Sequence, residues 1–323
     1  MRRIKPENLK SVGHNVTRFN GPQASGEEAP RSRKFERLVE AHCRIDEALP
    51  RDHEIGFICS CFVRYSLPHS ASAENVLGRR DGDMEVAFLS PPNVGLPFGK
   101  VPRLLLIYLT TQAVRTRKRE IDLGVSISKF MKSLFTEATG GTHGSIARFK
   151  QQVLRTLSLT TTLSLLNDDR AQLTNTPVAD EFEVHWVAVG ADQRSGLPAR
   201  VRLGERMFDH MLGSAVPVDL RAVRALKQSA MALDVYFWTT YRAPRVARTH
   251  PARIAWGALQ AQFGSDYKSK SDFKISFCNA LMQVQMVYPS LRYLATESYL
   301  VLHKSAPSVP RKTRPETLTP TCG

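Results

Sequence analysis

FKQQVLRTL at Phe149–Leu157 and FKISFCNAL at Phe273–Leu281 share one spacing. Each begins Phe-Lys, places an apolar residue four positions on (Val153, Phe277) and a leucine four further (Leu157, Leu281). That pattern lines one face of a helix, and many amphipathic helices carry it. Its context is more specific. Ahead of the first copy stand PRLLLIYLTTQAVRT, a helix with Pro102 in its first turn, the short strand REIDLG, the helix SISKFMKSLF with Ser126 placed to cap it, and the turn ATGGTHGS. After it, TTTLSLLND and EFEVHWVAV read as the two strands of a ribbon, with a weakly patterned, irregular stretch from Asn167 to Val187. The second half repeats the order. VDLRAVRALKQS is a leading helix and AMALDVYFWTTYR a buried one; ARIAW is a strand running into the helix WGALQAQFG. The turn SDYKSKS precedes the helix DFKISFCNALMQVQMVY, stopped by Pro289, and RYLATE and SYLVLHK form a ribbon. Leu109-Thr110-Thr111 matches Trp238-Thr239-Thr240 at an offset of 129, Phe135 matches Phe263 at 128, and the Phe-Lys pairs match at 124. A slowly drifting offset predicts a duplicated domain with small loop changes.

Three helices followed by a β-ribbon is the winged-helix plan, in which the last helix fits the major groove and the ribbon lies along phosphates. The expected fold is therefore α+β, with two tandem winged-helix domains at 36–200 and 201–305. Ahead of the first repeat, a helix spans Phe35–Leu49, and Ile55–Tyr65 and Met84–Leu89 read as strands flanking a turn-rich stretch. Residues 1–35 are basic and poor in large apolar side chains, and 306–323 are Pro-rich; both read as unfolded tails.

The chain has 323 residues, enough for about two domains, and 42% of them are apolar, so each half can bury a core. Lys and Arg number 45 against 30 Asp and Glu, a net charge of +15 that points to a polyanionic partner. Membrane attachment has little support: the longest apolar run is Leu104–Leu109. The start, MRRIKPENLKSVGHN, lacks the apolar stretch of a secretory signal. Five cysteines at irregular spacing (43, 59, 61, 278 and 322) argue against a disulfide framework and fit a reducing cytosol. Cys59 and Cys61 lack the second half of a zinc site and read as small core residues on one strand face.

The polar faces of the two last helices fit nucleic acid. The first offers Thr142, His143, Ser145, Arg148, Lys150, Gln151, Gln152 and Arg155; the second offers Lys268, Ser269, Lys270, Ser271, Lys274 and Asn279. Such side chains bond base edges and phosphates, and the one acid on the second face, Asp272, suits a helix first turn. A solvated helix face has a similar composition. Arg242, Arg245, Arg248 and Arg253 fall in one loop, which reads either as a phosphate clamp or as ordinary exposed loop.

Several longer strings resemble the plasmid-encoded RepA replication initiators. They are GLPFGKVPRLLLIYLTTQAVRTRKREIDLGVSISKFMKSL, GGTHGSIARFKQQVLRTL, PVDLRAVRALKQSAMALDVYFWTTYR and AWGALQAQFGSDY, with EIGFICSCFVRYSLPHS ahead of them. The resemblance spans roughly residues 36 to 303. It implies an initiator that binds repeated double-stranded sites (iterons) at a plasmid origin, opens adjacent DNA, brings in host initiator and helicase, and represses its own gene as a dimer in equilibrium with monomer. It implies that Lys268, Ser269, Lys270, Ser271, Lys274 and Asn279 read bases. It assigns phosphate contact to Arg148, Lys150, Gln152 and Arg155, on a first unit that also carries the dimer surface. The chain departs from the family at Ile275, Ser276 and Cys278, where Arg or Lys is usual. A winged-helix repressor without a replication role is the alternative.

No catalytic constellation is read, so the chain is expected to be neither an enzyme nor a binder of metal or cofactor. His-x-His, as a nicking initiator needs, does not occur, and His185 and His210 stand alone. GLPFGKV has the wrong glycine spacing for a P-loop. GGTHGS suits a DNA phosphate or a plain turn, and Asp168-Asp169 and Glu181/Glu183 read as solvated acids beside strands.

Overall fold

The computed structural model describes residues 33–310, apart from 82–83, 125, 137–138, 140–143, 168–169, 185–187, 190–193, 196–198, 265–266 and 268. Helix α1 (Arg33–Glu47) is followed by strand β1 (Ile55–Cys59), which runs directly into helix α2 (Ser60–Arg64), then by hairpin β2 (Val76–Asp81) and β3 (Met84–Leu89). The first repeat comprises α3 (Lys100–Thr116), β4 (Glu120–Asp122), α4 (Ile127–Ser133), α5 (Ser145–Leu157), β5 (Thr160–Asn167) and β6 (Arg170–Pro177). A connecting region holds β7 (Ala179–Val184), β8 (Ala188–Val189), β9 (Arg194–Ser195), β10 (Ala199–Leu203) and α6 (Glu205–Gly213). Strand β11 (Ala215–Asp219) and helix α7 (Leu220–Leu226) lead into the second repeat. That repeat is α8 (Ala230–Arg242), β12 (Ala252–Ala255), α9 (Trp256–Phe263), α10 (Lys270–Val287), β13 (Tyr293–Ala295) and β14 (Tyr299–Leu302). The class is α+β, and both halves follow the same helix–strand–helix–helix–ribbon order.

Burial follows the repeat. Phe149, Val153 and Leu157 face the core as Phe273, Phe277 and Leu281 do, and Thr110-Thr111 and Thr239-Thr240 are all buried. Ile127, Phe130 and Leu134 correspond in burial to Trp256, Leu259 and Phe263 at a constant offset of 129. The expected Phe135–Phe263 match is therefore corrected by one residue. Helix α4 ends at Ser133, the chain turns with Phe135 at φ 58°, and its half-buried ring packs at the edge of the core with the Arg224 guanidinium over it at 4.7 Å. Leu154, apolar but off the core face of α5, is exposed. Ser126 stands at the N-cap of α4 without a capping side-chain bond.

The two copies differ in their sheets. In the second, β14 lies between β12 and β13, all antiparallel, so the ribbon closes on its own unit. In the first, β5 and β6 extend the β2–β3 hairpin into a four-stranded sheet, while β4 pairs with β10, which also pairs with β7. This corrects the expected partner of TTTLSLLND: it is Arg170–Pro177, in regular register from Thr160↔Pro177 to Asn167↔Arg170, and EFEV belongs to another sheet. Strand β2 lies within the stretch expected to be turns, and the expected Ile55–Tyr65 strand ends at Cys59, where α2 begins.

The halves interlock. Strand β1 pairs antiparallel with β11 from Ile55↔Asp219 to Cys59↔Ala215. Helix α1 packs on α7 and α10, and His42 Nδ1 donates to the Met286 carbonyl at 2.8 Å. Gln262 of α9 donates to the Arg64 carbonyl. Between the central helices, Arg103 of α3 and Asp234 of α8 form a buried ion pair at 2.6 Å. The expected boundary at 200/201 is therefore corrected: it cuts β10, and α1 and β1 pack on the second half. The expected tail from 306 is corrected as well, since residues up to Val309 lie on the body. The Tyr288 hydroxyl donates to the Ala306 carbonyl at 2.6 Å, Tyr236 and Ser308 hydroxyls bond at 3.0 Å, and Val309 is buried. Residues 1–32 and 311–323, read as tails, lie outside the described residues. Among the described residues no helix is long and apolar enough to cross a membrane.

Candidate nucleic-acid interface

Helix α10 is the longest in the second unit, and local chemistry fixes both its ends. Ser269 is the N-cap in extended backbone; its Oγ accepts the Asp272 N–H at 3.0 Å, and its hydroxyl donates to Asp272 Oδ2 at 2.8 Å. Asp272 also complements the partial positive charge of the first turn. The helix stops at Val287, ahead of Pro289. Phe273, Phe277, Leu281 and Val284 seat one face in the core, where Phe277 lies edge-on to Trp238, Trp256 and Phe263. The opposite face presents Lys270, Ser271, Ile275, Asn279 and Met282 to solvent.

The residues expected to read bases thus divide. Lys270, Ser271 and Asn279 point outward. Ser269 is engaged as the cap. Lys274 is half-buried; its ammonium lies 5.4 Å from the Trp256 ring centroid and donates to the Glu297 carbonyl at 2.9 Å, tying α10 to the β13–β14 turn. Lys268 lies outside the described residues, as do Thr142 and His143.

Beside this unit is an open cleft of about 920 Å³ lined by Arg245, Arg248, Arg292, His303 and Lys304, with no acid in its lining. Arg245 and Arg248 come from the α8–β12 loop, whereas Arg242 ends α8 and Arg253 lies in β12, so the four expected to share one loop do not; Arg245 lies over the Tyr241 ring at 4.1 Å and donates to the Tyr241 carbonyl. The opposite wall, His303 and Lys304, comes from the segment after β14 and was missed in the sequence. The signal was present as His-Lys next to a Ser/Pro-rich run, but nothing local says that this run folds back. Its anchors are the Ser305 N–H to the Ala243 carbonyl at 3.2 Å and the Arg292 N–H to Ser305 Oγ at 3.0 Å.

In the first unit the expected phosphate contacts are only partly on the surface. Arg148 is exposed and Lys150 half-buried on α5. Gln152 is corrected: it is buried, and its Oε1 accepts the Phe98 N–H at 2.9 Å, so it holds the 95–98 loop instead of facing DNA. Arg155 is partly buried, donates to the Leu96 carbonyl at 3.1 Å and lies over the Phe98 ring at 5.3 Å; burial lowers its pKa from the ordinary arginine value. Arg148 joins Arg37, Lys100 and Lys227 around a second cavity of about 520 Å³.

The family model described as plasmid encoded RepA protein matches residues 96–258, half of the chain. The chain belongs to this RepA family. The RepA match covers the first repeat and extends to the first turn of α9, so α10 and its ribbon lie beyond it. No curated protein matches this chain in sequence. A crystal structure of RctB domains 2 and 3 superposes with a TM-score of 0.47 at 10% identity, over 75% of this chain and 96% of that one. A selenomethionine derivative of the same domains gives 0.48 at 11% identity, over 83% and 98%.

Proposed function

We propose that this RepA-family chain is a plasmid replication initiator whose second unit works as a winged helix on origin DNA. What carries the reading is the order α8–β12–α9–α10–β13–β14 with β14 between β12 and β13, and a last helix that turns its polar face outward. Lys270, Ser271 and Asn279 enter the major groove, and the Arg245–Arg248 cleft follows the adjacent phosphates. Ile275 and Met282, on the same outer face, meet thymine methyls, which replaces part of the charge usual on such a helix. The first unit adds phosphate contact through Arg148 and Lys150. Repeated sites, duplex opening, helicase recruitment, self-association and autorepression complete the proposal and rest on the family alone. The protein acts by holding the duplex and not by cutting it.

Gel shifts and footprinting on the plasmid that encodes the chain test this reading. Lys270→Ala and Arg248→Ala are each expected to weaken binding about three- to tenfold. Affinity is expected to fall at least tenfold between 50 and 200 mM salt, as counterion release requires. Unchanged affinity in both variants, or a flat salt response, removes the second unit from the interface. A footprint confined to the gene's promoter favours the repressor alternative.

A further inference from the structure

Cys59 lies in the core and Cys61 packs against it, but Cys61 stands on a helix and not on the strand face expected, and the proposed interface uses neither. Cys59 is the last residue of β1 and fully buried; Cys61 is in the first turn of α2 and half-buried. The strand-to-helix turn brings their Sγ atoms to 3.3 Å, close enough to need little movement to bond. Two groups from the α6–β11 connection complete the cluster: Ser214 Oγ lies 3.8 Å from Cys59 Sγ, and the exposed His210 contacts the same sulfur, with Asp209 beside it. We propose that Cys59 and Cys61 form a reversible dithiol–disulfide site that hydroperoxides oxidise, with Cys59 attacking, Cys61 resolving and His210 supporting the Cys59 thiolate.

Electrostatics agree with that geometry. The Cys61 thiol, with help from His210 and Ser214, holds the Cys59 sulfur at about 5, against burial that works to raise it. The same contact pushes Cys61 up, so it stays a thiol, and bonding to Cys59 raises the His210 imidazole above its ordinary value. The step balances. The Cys59 thiolate attacks the terminal peroxide oxygen, the O–O bond breaks, and hydroxide (from hydrogen peroxide) or alkoxide (from an organic hydroperoxide) leaves, giving a sulfenic acid. The Cys61 sulfur attacks the Cys59 sulfur, the S–O bond breaks, and water leaves with the thiol proton. The two sulfurs lose two electrons and the peroxide gains two.

The site sits on the seam. The pair Cys59↔Ala215 ends the β1–β11 ladder, the Ser60 N–H bonds the Ser214 carbonyl at 3.1 Å, and α2 packs on α8. A bond there stiffens the turn through which the first half meets the second.

The tryptic peptide Asp52–Arg64 holds both cysteines and no other, so mass spectrometry of the intact chain after brief peroxide treatment reads the site directly. The expected result is loss of two hydrogens in that peptide, reversed by dithiothreitol, while Cys43 and Cys278 stay open to alkylation. Cys61→Ser is expected to accumulate a dimedone-trappable sulfenic acid at Cys59. His210→Gln is expected to slow oxidation at pH 7 at least threefold and to shift its pH midpoint upward. Full alkylation of Cys59 and Cys61 after peroxide, oxidation of exposed Cys43 first, or a His210→Gln rate and pH profile equal to wild type overturns the proposal.

Discussion

At the scale of single residues, Asp234 shows how a buried charge is compensated. It is almost fully buried, yet Ser66, His69 and Arg103 all bond it: the Ser66 hydroxyl donates at 2.6 Å, His69 Nε2 lies at 2.9 Å, and Arg103 binds both oxygens at 2.6 Å. Burial works to raise the carboxyl, but the Arg103 charge and the His69 and Arg103 bonds outweigh it and hold the group at about 2, below its ordinary 3.8. A depressed carboxylate stabilises the fold above its unfolded value and loses that contribution as pH falls. The Asp234 share, on the order of 2 kcal/mol, is therefore whole above about pH 4 and lost toward pH 2. Arg103→Met strands the carboxylate and is expected to cost about 3–5 kcal/mol in urea unfolding at pH 7, with Arg103→Met/Asp234→Leu recovering much of it. A single variant within about 0.5 kcal/mol of wild type would contradict the pairing. Lys274 makes a different point. Its bond to Glu297 and its place over Trp256 make it a strut, so Lys274→Ala is expected to cost about 1 kcal/mol and to speed amide exchange at 296–299. Unaltered exchange there would leave Lys274 to DNA alone.

At the scale of elements, α10 depends on its cap and on the glycine before it. Ser269→Ala removes the acceptor for the Asp272 N–H and is expected to lower stability by about 1 kcal/mol. At Gly264 a Cβ would stand 2.2 Å from Phe273 Cδ2, so Gly264→Ala is expected to cost about 1–3 kcal/mol by displacing a core ring; thermal denaturation unchanged in both variants would refute this account. These elements also show what the sequence made legible. The Phe-Lys helices, the paired threonines and the β12–α9 junction were readable because helical periodicity and breakers are local signals. Strand partners were not: whether Thr160–Asn167 meets Arg170–Pro177 or a later segment depends on which edge is left open by β3. Gln152 was misread because a polar side chain on a helix looks the same whether it meets water or caps a loop N–H. Lys270 and Ser271 were legible as outward residues because Phe273 and Phe277 fix the helix phase.

At the scale of the molecule, the interlocked halves predict one folding unit. The ladder from Ile55 to Cys59 with Ala215 to Asp219, helix α1 on α10, and Arg103 with Asp234 all cross the repeat boundary. Urea unfolding followed by tryptophan fluorescence and circular dichroism is expected to give one coincident transition; two separated transitions would show that the repeats fold alone.

The bond from His42 to the Met286 carbonyl spans 244 residues of chain. During synthesis the first helix leaves the ribosome long before its seat exists, and β1 waits likewise for β11. The C-terminal unit therefore cannot mature stepwise behind a finished N-terminal one. A message broken before the codons for α10 yields a product that lacks the outward helix and leaves its opening segment bare, a substrate for proteases and not a competitor at the origin.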